Sequence, residues 1–158
     1  MSSLERSPAL IGWRLLALLY DFFPLLALWF AAAGAFTWAH GDAVRGGWLG
    51  MLEFCVLVAI TALYAVLSWK RGGQTIGMRP WRLRVVTPAD GEPDSKALWL
   101  RFCVGSLSLA VAGLGFWWAW IDRDRLTWHD RASGTRMIRF PKPGPAQPEA
   151  SSTVARKD

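Results

Sequence analysis

GWRLLALLYDFFPLLALWFAAAGAF, residues Gly12 to Phe36, is the stretch on which the fold turns. It is long enough for a membrane helix, which needs roughly 20 apolar residues. It is not uniformly apolar: Arg14 stands at its head and Asp21 lies inside it. Seven residues is close to two helical turns, so both side chains project from one face, about 10 Å apart along the axis. A bare carboxylate in hydrocarbon costs about 2.5–3.5 kcal/mol on insertion scales. Asp21 is therefore expected to face a partner or a wet cavity, and Arg14 and Asp21 to face other helices and not lipid. Pro24 frees the carbonyl of Tyr20, and that carbonyl beside Asp21 would make a polar pocket. A cleaved signal peptide fits the run poorly, because such peptides use an uncharged core of roughly 7–15 residues.

Two further apolar runs follow. Trp48 to Trp69 carries Glu53 as its one charge, expected to snorkel or to face the bundle. Ala97 to Ile121 has Arg101 a turn from its start and is interrupted by Gly113 and Gly115. Thr37 to Gly47 is expected to be a loop, with His40 solvated because it lacks co-ligands for a metal. The segment Lys70 to Lys96 opens on a basic pair, as a cytoplasmic helix end should. Within it, Gly72, Gly73 and Gly77 frame Gln74-Thr75 in a tight turn, with no GxxxxGK[ST] pattern to cradle a phosphate. Trp81 to Val86 alternates as a half-buried strand does, and Thr135 to Phe140 does so in part. Residues 1–11 are a short polar lead, 12–140 the membrane unit, and the Pro/Ala/Ser-rich stretch 141–158 is expected to be a disordered tail.

The 158 residues are 53% hydrophobic yet carry a net charge of +6, so apolar and basic residues must be segregated along the chain. Tryptophans at run ends (Trp13, Trp48, Trp69, Trp99, Trp120 and Trp128) fit an aromatic belt at the membrane surface. No nucleic-acid motif accompanies the basic excess; membrane phosphates and the positive-inside rule account for it. Cys55 and Cys103 read as small buried hydrophobes, neither a disulfide nor a metal pair. No cofactor is implied.

The segments after the second and third runs are both strongly basic, and three plain crossings would put them on opposite sides. Two forms are open for Ala97 to Ile121. It either bends near Gly113–Gly115 and returns as a re-entrant pair of half-helices, which lets the two strands pair, or crosses once. The fold class is an all-α integral membrane protein of the inner cell membrane with a cytoplasmic amino terminus. It has two full spans, this third segment and a small cytoplasmic two-strand element.

The ordered set of motifs resembles the RDD family of small membrane proteins. That family shows an arginine at the head of its first helix and an aspartate within it, matched by Arg14 and Asp21. A glycine-threonine-glycine turn leads into a Val-ended strand, matched by Gly73 to Gly77 and Arg84-Val85-Val86. A closing aspartate before a small-Gly-Thr signature is matched by Asp130 and Ser133-Gly134-Thr135, where Ser133 departs from the commoner alanine. Arg101 matches an arginine at the head of the last apolar segment. The resemblance implies a largely uncharacterised membrane function, with transport of ions or small ligands suggested for the family.

The candidate pathway residues are Arg14, Asp21, Arg101 and Asp130, with Glu53, His129 and Thr135 secondary. In one reading Asp21 loads and releases protons or cations, Arg14 snorkels at the interface or holds Asp21 ionised through a partner, and Asp130 caps or orients the arginines. In the other, the same charges form a buried network that fixes helix register in a non-catalytic assembly or partner-binding subunit. The first implies a homo-oligomer, since one module of this size is small for alternating access; the second implies another membrane protein beside it; both lie in contact with lipid. An enzyme is not expected: His129 and Asp130 are adjacent, but neither a nucleophile motif nor a metal set accompanies them.

Overall fold

The computed structural model describes residues 10–44 and 46–140. Two long helices come first, α1 (Ile11–His40) and α2 (Gly47–Gly72), both long and apolar enough to cross a membrane. At 30 residues α1 is about 45 Å long, beyond the roughly 30 Å of a bilayer core. It stays helical through Pro24 and runs on to His40, so the turn to α2 is shorter than the loop expected from Thr37. Gly41 ends α1 and Gly73 ends α2 in the left-handed conformation that glycine adopts without a Cβ clash.

A compact turn (residues 74–82) leads into β1 (Leu83–Val86), which pairs antiparallel with β2 (Arg136–Arg139) in the register Leu83↔Arg139. The pairing expected between Trp81–Val86 and Thr135–Phe140 is therefore present, four residues long on each strand. Leu83 and Val85 are fully buried beside Leu10, Ala17, Val66, Met78 and Leu98 in the main core cluster.

The third apolar run is two helices, α3 (Ser95–Ala110) and α4 (Leu114–Ile121), bent by 98°. Asp94 caps α3 by accepting from Ala97 N at 2.7 Å. The chain reverses at Ala112 and Gly113, both at positive φ. Gly115 seats α4: a Cβ there would lie 2.5 Å from Ser108 Oγ and 3.0 Å from Trp128 Cβ. Leu98 near the start of α3 shares a core with Leu10, and Ala119 near the end of α4 packs with Ile11. Both ends of the segment thus lie near the start of α1, and the segment is bent rather than straight, with the break at residues 111–113. α5 (Trp128–Ser133) then lies along α3, where Gly105 lets His129 approach to within ordinary contact.

Three expectations need correction or fall outside. Cys55 and Cys103 are free but exposed, not buried, because α1, α2 and α3 turn much of their surface outward. Trp69 and Trp13, both expected at the membrane surface, are partly buried and pack on the core, with the Trp69 ring 5.6 Å from the Arg101 guanidinium. The tail expected to be disordered lies outside the described residues.

Candidate functional site

The buried face of α1 is Ile11, Arg14, Ala17 and Asp21, a spacing of one helical stripe, so Arg14 and Asp21 do share a face. They do not share a partner. Arg14 reaches Asp130: its Nη1 lies 2.6 Å from Asp130 Oδ2 and donates to Thr127 Oγ1 at 3.1 Å. Arg101 of α3 approaches from the other side, with Nη1 2.6 Å from Asp130 Oδ1 and 2.7 Å from Thr135 Oγ1. All three charged side chains are buried. Ser133 Oγ donates to His129 O at 2.5 Å, so the Thr135 hydroxyl, which accepts from Arg101, donates its own proton to Ser133 at 2.7 Å. Asp130 thus sits between both guanidiniums, and among the described residues Arg14 makes no ion pair with Asp21.

Asp130 has a second task. Thr127 and Asp130 form a capping box at the start of α5, with Thr127 N donating to Asp130 Oδ2 at 3.2 Å and Asp130 N to Thr127 Oγ1 at 3.3 Å. The Thr-x-x-Asp spacing is a sequence signature for this arrangement, and Thr127 is a site residue that sequence reading passes over. Burial alone would raise the Asp130 carboxyl, but the Arg101 and Arg14 guanidiniums outweigh it and hold the group well below the usual carboxylate range. Burial pushes His129 down to about 3, with the Arg101 charge adding to the effect. His129 is thus a neutral ring, 4.8 Å from that of Phe116.

Asp21 is built differently. Tyr64 Oη of α2 donates to its Oδ1 at 2.6 Å, Thr75 Oγ1 to its Oδ2 at 2.5 Å, and Gly77 N to its Oδ1 at 2.8 Å. The glycine-framed turn therefore folds back onto α1, and Gly77 is what permits it: a Cβ there would lie 2.7 Å from Asp21 N and from Asp21 Cγ. The polar surroundings expected for Asp21 are built by this turn and by Tyr64. Among the described residues, no cation pairs with Asp21. Glu53 takes no part in either cluster and is half-buried on α2.

The two clusters border one half-open cavity of about 230 Å³. Asp21, Tyr64 and Thr75 line it together with Arg14, Arg101 and His129, and most of the remaining wall is apolar. Arg14 and Arg101 against the single carboxylate of Asp130 leave one positive charge over. Among the described residues, no group of three His, Cys, Asp or Glu side chains is placed to hold a metal ion.

The family model described as RDD family matches residues 8–134, most of the chain and every residue of both clusters except Thr135. No curated protein and no solved structure matches the chain.

Proposed function

The chain belongs to the RDD family, and from that premise we propose that it moves a monovalent cation or a proton across the membrane, with Asp21 as the exchanging carboxylate. The observation that carries this reading is the set of partners Asp21 takes. A carboxylate locked between two guanidiniums, as Asp130 is, cannot release its charge compensation without stranding two buried cations. Asp21 is held by neutral donors, and two of them are hydroxyls. A hydroxyl turns from donor to acceptor by rotating its hydrogen. A protonated Asp21 can therefore donate to Thr75 or Tyr64. A bare cation can take the carboxylate together with both hydroxyl oxygens, the hard oxygen donors that such ions prefer. The Arg14–Asp130–Arg101 cluster then serves as the fixed frame, and the cavity beside Asp21 supplies space for the exchange.

The sheet end of the molecule carries Lys70, Arg71, Arg84, Lys96, Arg123 and Arg136, whereas the turn between α1 and α2 has Arg45 as its one strong cation. By the positive-inside rule the sheet end, and with it the amino terminus, is cytoplasmic in the cell membrane. A second reading, a non-catalytic assembly or partner-binding subunit, has its own support. Only 11% of the spanning window of α1 and 17% of that of α2 are buried within one chain, which leaves broad apolar faces for another copy or another membrane protein. No catalytic step enters either reading.

The test is proton release on cation addition. Purified protein in weakly buffered detergent, assayed across a range of pH, should release protons when sodium, potassium or lithium is added, and Asp21→Asn should not. Release of the same size from Asp21→Asn, or none from the unmodified protein with all three ions, would favour the assembly reading.

A further inference from the structure

We infer that a second site, separate from the Asp21 cavity, binds the phosphate headgroup of an anionic phospholipid. A groove of about 1130 Å³ opens where α1 begins, between that helix, the end of α4 and the strand β2. Three arginines line it from three different parts of the chain: Arg82 before β1, Arg125 between α4 and α5, and Arg139 at the end of β2. Among the described residues none of the three has a carboxylate partner, whereas the sheet-end arginines Arg84, Arg131 and Arg136 each do. Among the described residues, Arg82 Nη1 is buried with no hydrogen-bond acceptor. The Arg139 guanidinium is fixed 4.0 Å over the ring of Trp13, and its Nε donates to Trp81 O at 3.3 Å. Arg82 and Arg125 both sit at positive φ, 56° and 55°, a backbone conformation that side chains larger than glycine seldom adopt. Strain of that kind collects at ligand sites, where the surroundings over-determine it.

The rest of the groove states what kind of anion fits. Leu15, Leu16 and Leu19 line it and are 43%, 36% and 57% exposed. From Leu10 to Leu19 the apolar floor along α1 is about 14 Å long, close to the roughly 15 Å of one hydrocarbon leaflet. Trp120, 65% exposed, stands at the rim, where tryptophan sits at membrane surfaces. A cationic mouth over an apolar channel one leaflet deep fits a phosphodiester with an acyl chain beneath it. Guanidinium forks suit the phosphate oxygens, and basic pockets between membrane helices recognise anionic headgroups in this way. A free phosphate would use the mouth and leave the leucine floor empty.

The experiment is a titration of the full chain in detergent, read by native mass spectrometry, with phosphatidylglycerol and phosphatidylcholine of identical acyl chains. Phosphatidylglycerol is expected to bind more tightly. Arg82→Gln and Arg125→Gln should each weaken it about fivefold, while Arg131→Gln, outside the groove, should leave it unchanged. Glycerol phosphate in excess should fail to displace the lipid. Equal binding of the two lipids would overturn the inference, as would equal loss in Arg131→Gln. Full displacement by glycerol phosphate would overturn the lipid as occupant. Absence of lipid from the full chain would do so too. Arg82→Gln and Arg125→Gln are read separately, so the failure of one to fold leaves the other to decide.

Discussion

Asp130→Asn removes one negative charge and keeps nearly the same shape. The carboxamide oxygen can still accept from Thr127 N, so the cap of α5 is largely spared. What is lost is the counter-charge for Arg14 and Arg101, which are 4% and 2% exposed and both 2.6 Å from the carboxylate. Removing one member of a buried ion pair costs about 3–5 kcal/mol, and here two guanidiniums are stranded, so the upper part of that range is expected. Denaturant unfolding in detergent, followed by tryptophan fluorescence, reads this directly. A second variant isolates the cause. Arg14→Met should cost several kcal/mol alone, but much less in the Asp130→Asn background, where it removes one of the stranded cations. A loss below about 1 kcal/mol, typical of an exposed pair, or strict additivity of the two substitutions, would refute the reading of Asp130 as the shared counter-ion.

Other outcomes follow from the same geometry. His129 titrates near 3 in the folded chain against 6.5 ordinarily, so the unfolded chain takes up its proton first. Stability should be full above about pH 6.5 and fall below it by about 1.4 kcal/mol per pH unit. His129→Phe should flatten that fall down to about pH 4, and Asp130 adds a further loss below the ordinary carboxylate range; an unchanged slope in pH-dependent melts would contradict the assignment. Gly77→Ala should pull the 75–77 turn away from Asp21 and lower stability by about 1–3 kcal/mol, since a buried carboxylate loses hydrogen bonds. A wild-type melting temperature would show that the turn is not held there. Single cysteines at Asp90 and Asp124, placed in a background with Cys55 and Cys103 replaced, should react with an impermeant maleimide from the same membrane side, and one at Gly41 from the other. Labelling of the Asp90 and Asp124 positions from opposite sides would rule out the bent third segment.

The helical period was enough to place Arg14 and Asp21 on one buried face, because that inference needs only the pitch of α1. It was not enough to assign their partners. Arg14 meets Asp130 only because α3 and α4 fold back by 98°, and nothing local to Arg14 encodes that return. The glycines near 113 and the two basic segments did point to a reversal, and strand pairing follows from it. Tyr64, Thr75 and Gly77 were harder to read. The turn at residues 73–77 is recognisable from its glycines, but its role depends on contact with a helix more than fifty residues earlier. The Thr127-x-x-Asp130 cap is legible in the sequence as a capping-box spacing, whereas the ion pairs of the same carboxylate depend on distant elements. The cysteines misled because an apolar segment in a small membrane bundle faces outward as readily as inward.

The central claim is that Asp21 exchanges its bound ion or proton across the membrane. Liposomes carrying the purified chain, with a pH dye inside and a gradient of sodium, potassium or lithium imposed, test it most directly beside liposomes carrying Asp21→Asn. Asn can keep the local hydrogen bonds, because the Thr75 hydroxyl can turn to accept from its amide, so the variant should fold and insert. Cation-driven proton flux in the unmodified chain that disappears in Asp21→Asn is the expected result. Equal flux in both, or none in either for all three cations, would contradict the claim.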